Sequence, residues 1–487
     1  MNVADTLRRQ SLATPSAIAY ASAQGATVSY EAFERTVAAL ARRVGELGVA
    51  PGTIATIATR DPYRHLAVAL ALGRVGAVSA PIALPGHLAD VVLVDEGLPG
   101  NGCARVVRLA DAWPTAADVA AASPLAGHAG GAATFMLCPT SGSTGAPKFV
   151  PVSHDLALRR IAGRAREVAD AVGGRGPGAL RQACYIGMGS SYAFSSAMLV
   201  LASGGTVLEP DLNADTMAAW FRTSGVNRIV ASPLVLQKIA ARMPEEGVPN
   251  ALDTIEAGGS ALPLRVRALV ERRMCARIVV TYGLTECGRV AGAPAAALPD
   301  LPGAVGRPYP GVTVEIVDED GRGVPAGTEG LLRVRSDRCA DAYFADTAAT
   351  ARVFRDGWVY PGDRGVLERD GTLRVVGRAD DVINRGGAKV DPHALEVALC
   401  ALGDVSEVAV FGASDGTSLT SVCAAIVSAA PLDVPAFHAR CRAALGARAP
   451  AFVMQLPELP RAANGKVDRG ALARMAVEAS RTRRAPG

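Results

Sequence analysis

Thr140-Ser141-Gly142-Ser143-Thr144-Gly145-Ala146-Pro147-Lys148 is the stretch on which the reading of this chain turns. It follows the apolar run Thr134–Leu137, so a strand feeds into it. Glycines let backbone N–H groups converge on an anion, and the hydroxyls and Lys148 add further donors. The spacing is not that of a Walker A loop, and Pro147 disfavours an immediate helix. A Gly/Ser/Thr surface linker is the plain alternative; the strand before it and the lysine after it argue against that. The continuation Val150-Pro151-Val152-Ser153-His154 offers Ser153 as a helix cap and gives His154 a packing or capping role rather than a catalytic one.

Outward from this loop, short apolar runs alternate with helical stretches. Ser29 can cap a helix from Tyr30 to about Leu47, with Phe33, Val37, Leu40, Val44 and Leu47 on one face and Gly48 ending it. Strand-like runs at Ile54–Ile57, Ala77–Ile82, Thr206–Leu208, Arg228–Val230 and Arg277–Thr281 alternate with helices at Tyr63–Val75, Ala214–Thr223, Leu234–Arg242 and Leu264–Arg273. That alternation predicts an α/β fold with a mostly parallel, helix-covered sheet. After about Gly303 tight turns and short β segments predict a small antiparallel sheet or barrel. A mixed helix–strand pattern resumes at Asp391. The expected division is a large domain over residues 1–379 and a small α+β domain over residues 380–487.

The 487 residues suffice for a large core without staples. With 50 Lys+Arg against 46 Asp+Glu, the formal charge of +4 is too balanced to argue for nucleic acid or an anionic membrane. Nine cysteines with no CxxC pair support neither a disulfide framework nor a zinc site. No run of about 20 apolar residues or signal-type leader is seen, so a cytoplasmic protein with reduced thiols and no membrane span is expected.

Further motifs follow in order. Gly258-Gly259-Ser260-Ala261-Leu262-Pro263 is by itself only a glycine-rich turn. Thr281-Tyr282-Gly283-Leu284-Thr285-Glu286 combines an aromatic ring, a hydroxyl and a carboxylate; a strand end with an N-cap threonine is its plain alternative. Then come Gly357-Trp358-Val359-Tyr360-Pro361-Gly362-Asp363 and Gly377-Arg378-Ala379-Asp380-Asp381. After them stand Ile383-Asn384-Arg385-Gly386-Gly387-Ala388-Lys389-Val390 and, near the end, Pro460-Arg461-Ala462-Ala463-Asn464-Gly465-Lys466-Val467-Asp468-Arg469. Together with the 140–148 loop, this series resembles the ANL superfamily of adenylate-forming enzymes over nearly the whole chain: acyl-CoA synthetases, nonribosomal adenylation domains and luciferases.

The resemblance implies an ATP-dependent, Mg²⁺-assisted ligase that activates a small carboxylic acid as its acyl-AMP. Thr140, Ser141, Gly142, Ser143, Thr144, Gly145 and Lys148 would cradle phosphates, and Gly258, Gly259 and Ser260 would lie against the adenine. Tyr282 would pack on adenine, Thr285 contact the α-phosphate and Glu286 help hold the metal. Asp363 would accept from the ribose hydroxyls, Arg378 contact the nucleotide and Asp380 act as the hinge of a mobile C-terminal domain. Gly386, Gly387 and Lys389 would line the thiol tunnel, and Lys466 would be the catalytic lysine. The acceptor would be CoA or a phosphopantetheinyl carrier protein acting in trans.

The acid-site segment, Ile186-Gly187-Met188-Gly189-Ser190-Ser191-Tyr192-Ala193-Phe194, departs from the family. It has neither the histidine of many acyl-CoA synthetases nor the aspartate of amino-acid-activating domains. Without that carboxylate an α-ammonium would be buried unpaired, which disfavours α-amino acids. Met188, Ser190, Ser191, Tyr192, Ser232 and Gly258 are expected to line a small pocket for an aryl or short substituted acid, although Met188, Tyr192 and Phe194 also read as plain core. Two other readings stand beside this one: a secondary-metabolism relative that activates nitrite to diazotise an aromatic amine, and a catalytically silent nucleotide-binding homologue.

Overall fold

The computed structural model describes residues 1–123, 126–127, 130–140, 147–171, 178–247, 252–275, 277–299, 301, 303–379, 383–385, 388–390, 392–403, 405–413, 420–428, 430–461 and 467–484. A six-stranded sheet runs in the order Val106–Arg108, Val91–Val94, Ile54–Ala58, Val78–Pro81, Thr134–Pro139, Phe149–Ser153. Its pairs are parallel except the last, where Thr134–Pro139 and Phe149–Ser153 form an antiparallel hairpin. Val91–Val94 is buried throughout, as a strand covered on both faces requires.

A second sheet of 15 strands is parallel from Ile18–Ala21 through Ile278–Leu284. It continues as antiparallel strands through Gly288–Pro294 and Ala304–Pro308 to Leu373–Arg378, Asp363–Leu367 and Glu329–Arg335. The antiparallel part expected after Gly303 is therefore joined edge-on to the parallel sheet. Helices pack with the sheets into two large apolar clusters. The helix Tyr30–Glu46 starts where Ser29 accepts from the Ala32 N–H. It is clamped to the helix Pro62–Val75 by the buried Glu34–Arg74 pair at 2.7 Å.

Residues 383–477 build two smaller cores of their own around the strands Glu407–Ala413, Ser421–Val427 and Phe452–Gln455. The Arg265 guanidinium donates to the Val405 carbonyl at 3.0 Å and ties this part to the rest. All nine cysteines are free thiols. No helix among the described residues is long and apolar enough to cross a membrane.

Candidate active site

The hairpin Thr134–Pro139/Phe149–Ser153 carries the 140–148 loop. Its stem closes where the Thr140 N–H donates to the Lys148 carbonyl at 2.8 Å. Ser141, Gly142, Ser143, Thr144 and Gly145 lie outside the described residues. Pro147 and Lys148 lead directly into the strand Phe149–Ser153, so no helix follows the loop immediately. Ser153 caps the helix His154–Ala171 by accepting from Leu156 at 3.1 Å. His154 is wholly buried, with Nδ1 accepting from the Val3 N–H at 3.1 Å and its ring 5.1 Å from that of Phe135.

A second hairpin, Ile278–Leu284/Gly288–Pro294, carries Tyr282, Thr285 and Glu286 next to that stem. The Thr285 hydroxyl donates to the Pro139 carbonyl at 3.4 Å. The Glu286 carboxylate is buried and accepts from the Tyr343 hydroxyl. Burial pushes the Tyr343 phenol up, and the charge of Glu286 adds to it. Lys148 Nζ sits 5.3 Å from the centroid of the same ring.

The third component comes from two antiparallel strands whose register places Asp363 opposite Arg378. The Asp363 carboxylate accepts from the Tyr282 hydroxyl and from Arg378 Nη1, the latter at 3.3 Å. Burial, with the Asp363 charge beside it, raises the Tyr282 phenol well above its ordinary range. A cavity of about 1050 Å³ collects Thr140, Lys148, Gly259, Ser260, Tyr282, Thr285, Glu286, Asp363 and Arg378 on one wall system.

Ser191 and Tyr192 also face this cavity, whereas Met188, Ser190, Ser232 and Gly258 do not line it. The reasons are local. Ser190 and Ser232 spend their hydroxyls as helix caps, accepting from Ala193 and Val235. Met188 packs on the main core. A Cβ on Gly258 would lie 2.8 Å from the Tyr192 hydroxyl, so the missing side chain is what lets the ring approach.

The strands Ile383–Arg385 and Ala388–Val390 pair with Arg385 opposite Ala388 and Asn384 opposite Lys389. Gly386 and Gly387 between them, Asp380 and Lys466 lie outside the described residues. An isolated bridge between Arg461 and Val467 closes the segment that contains Lys466. Just beyond it, Arg469 and, from the helix Pro392–Ala401, Pro392 stand on the cavity wall. Arg469 is held by Glu396 at 2.7 Å and by the Val410 carbonyl at 3.0 Å.

Sequence reasoning missed a basic cluster. Arg160, Arg164 and Arg289 line the same cavity. Glu256, 1% exposed, takes the guanidiniums of Arg164 at 3.4 Å, of Arg228, and of Arg289 at 3.7 Å, with the Tyr192 hydroxyl as a further donor. Burial alone would raise this carboxylate, yet Arg289, Arg228 and Arg164 hold it well below the ordinary range. One signal was there to read. Leu156, Ala157, Arg160, Ile161 and Arg164 recur at helical spacing, so the two arginines fall on the apolar face.

A sequence model of the family described as AMP-binding enzyme matches residues 108–344. The chain is 31% identical over 391 residues to indoleacetate–CoA ligase of Aromatoleum aromaticum, covering 78% of this chain and 73% of that protein. It is similar in fold to o-succinylbenzoate CoA synthetase of Bacillus subtilis, solved with its acyl-adenylate intermediate. There the TM-score is 0.83 at 22% identity, over 96% of this chain and 97% of that one. The amide bond synthetase McbA of Marinactinospora thermotolerans superposes with a TM-score of 0.80 at 25% identity, over 98% of this chain and 100% of that one. With the relative from Aromatoleum aligned over most of both lengths, the chain belongs to the AMP-binding enzymes, the adenylate-forming ANL superfamily.

Proposed function

We propose that this enzyme adenylates a small carboxylic acid, aryl or short and substituted, and then passes the acyl group to a thiol, that of CoA. The observation that carries the reading is the convergence of Thr140, Lys148, Tyr282, Thr285, Glu286, Asp363 and Arg378 on one cavity. These residues come from three separate antiparallel strand pairs, and a surface linker or a merely capped strand end gives no reason for them to meet.

The chemistry asks for such a site. A carboxylate must attack the α-phosphorus of ATP, so two anions have to be brought together and the growing charge on oxygen stabilised. Asp363 offers lone pairs to the two ribose hydroxyls and the flat face of Tyr282 suits adenine. Thr285 and Lys148 provide donors for phosphate oxygens. The buried carboxylate of Glu286 on the cavity wall fits Mg²⁺, which takes one or two carboxylates and fills its shell with phosphate oxygens and water. Bound there, the metal would neutralise phosphate charge. Lys466 is assigned the ammonium that meets the reacting oxygens; the position of Arg469 on the cavity wall, three residues further on, supports that assignment.

We infer a division at residues 379/380, with Asp380 as the pivot that exchanges Lys466 for Gly386, Gly387 and Lys389 before thiolysis. The separate cores within residues 383–477 support two bodies. Glu256 also disfavours α-amino acids: it is already shared by three arginines and has no spare charge for an ammonium. Indoleacetate, in the name of the 31% identical relative, supports an aryl acid here.

The test is pyrophosphate release from ATP with aryl acids, short acids, amino acids and nitrite, each with and without CoA. Acid-dependent pyrophosphate release is expected, with AMP and an acyl-CoA thioester formed on adding CoA. Release with nitrite alone, or with no compound, overturns the proposal. Product formed with an amine but not with CoA overturns its second step only.

A further inference from the structure

Arg160 is a buried cation with no ion-pair partner among the described residues. It is 5% exposed, and its three bonds go to neutral acceptors: Nε to the Arg338 carbonyl at 3.0 Å, Nη2 to the Glu286 carbonyl at 2.8 Å and Nη1 to the Ser191 hydroxyl at 3.4 Å. A guanidinium has five N–H donors, so donors remain. Among the described residues no carboxylate lies within ion-pair distance of it; Glu286 meets it through its backbone, while that carboxylate is turned to Tyr343. Burial accordingly lowers the Arg160 guanidinium from its ordinary value.

One helical turn along, Arg164 donates to the hydroxyls of Ser195 at 3.0 Å and Ser196 at 2.8 Å, and reaches Glu256 only at 3.4 Å. Its Nε is buried with no hydrogen-bond partner. Three guanidiniums, from Arg164, Arg228 and Arg289, thus share one carboxylate, Glu256, and Arg160 adds a further cation one helical turn from Arg164. Both Arg160 and Arg164 abut the first turns of the 12-residue helix Ser191–Ala202, whose N-terminal end adds positive potential. Buried charge left uncompensated is costly, and an arginine fork is built to take a carboxylate with two parallel bonds. Arg160, Arg164, Ser191 and Ser195 line the cavity that holds Tyr192, Thr285 and Glu286.

We propose that the acid activated here carries a second anionic group, in the simplest case a second carboxylate, which seats against Arg160 and Arg164 at the start of the Ser191–Ala202 helix. This rests on the adenylation reading and names its substrate class. The first carboxylate is the one that meets the α-phosphorus; the second keeps its charge throughout, so the reaction needs no additional step.

The test compares matched acids in acid-dependent ATP–pyrophosphate exchange: butyrate against succinate and glutarate, benzoate against phthalate and isophthalate. At least one diacid is expected to exceed its monoacid in kcat/KM by about tenfold or more, the scale of one charge-assisted bond. Arg160→Met and Arg164→Met are each expected to bring that ratio to about one through the KM of the diacid, and Arg160→Lys to retain part of it. Thermal melts of the variants check folding, and stabilisation of the wild-type protein by the preferred diacid gives an independent readout. Exchange with monoacids at equal or better efficiency in every pair, or a preference that survives both methionine variants, overturns this inference and leaves the adenylation reading standing. Exchange with no acid of either kind overturns both.

Discussion

Glu256→Gln isolates the electrostatics of the buried arginine cluster. The substitution keeps the shape and removes one charge from a carboxylate ringed by Arg164, Arg228 and Arg289, all buried. Taking away one partner of a buried ion pair costs about 3–5 kcal/mol, because the remaining charges are left uncompensated. With about 2–4 °C per kcal/mol for a folding unit of 150–250 residues, the melting midpoint at pH 7 should fall on the order of 6–20 °C. Differential scanning calorimetry of the full chain measures it. Glu31→Gln, which breaks the exposed i,i+4 pair with Arg35 at 2.9 Å, is the control and should shift the midpoint little. The pH dependence has a definite sign. The folded value of Glu256 is depressed below its ordinary 4.5. Its contribution is therefore fully present above that range and is lost as pH falls toward the folded value. The gap between wild type and variant should stay constant from pH 8 to 6 and narrow on acidification below about 4.5. A midpoint change under about 2 °C, or a gap that ignores acid, would refute the reasoning that these arginines are desolvated and dependent on Glu256.

Three further outcomes concern the chemistry. Asp363→Ala should raise the KM for ATP about 10- to 100-fold, since one charge-assisted bond to a ribose hydroxyl is worth roughly 1.5–3 kcal/mol; an unchanged KM in pyrophosphate exchange removes Asp363 from the nucleotide site. Lys466→Ala should cut adenylation by about 10²–10³ or more while sparing thioester formation from supplied acyl-AMP, and equal loss in both half-reactions contradicts the division of labour. Asp380→Pro, which fixes φ at the proposed pivot, should slow thiolysis of supplied acyl-AMP more than adenylation; identical rates to wild type in single-turnover assays remove the hinge.

Much of the fold is legible because its signals are local. The strand into the 140–148 loop, the Ser29-capped helix and the alternation of short buried strands with helices each lie in one stretch of chain. Tyr282, Thr285 and Glu286 are legible as a group because one hairpin carries them. The pairing of Asp363 with Arg378 is not, since it depends on the register of two strands brought together by a turn. The expected acid pocket is harder still. Ser190 and Ser232 look like pocket hydroxyls, yet each precedes a helical run, and that position makes a serine a cap. Ser232-Pro233 even carries the proline at the first helical position that marks a start. Arg160 and Arg164 are exposed as special only by sitting on the apolar side of their helix, and Glu256 reads as one polar residue in a buried strand. That Arg164, Arg228, Arg289 and Glu256 meet is a property of four elements at once, which no local pattern records.

Transfer of oxygen tests adenylation most directly. The acid, labelled with ¹⁸O in its reactive carboxylate, is turned over with ATP and CoA, and the nucleotide and phosphate products are weighed by mass spectrometry. Attack of the carboxylate on the α-phosphorus predicts AMP carrying one ¹⁸O and unlabelled pyrophosphate. Label in inorganic phosphate with ADP as the nucleotide product, or AMP formed without label, contradicts the account.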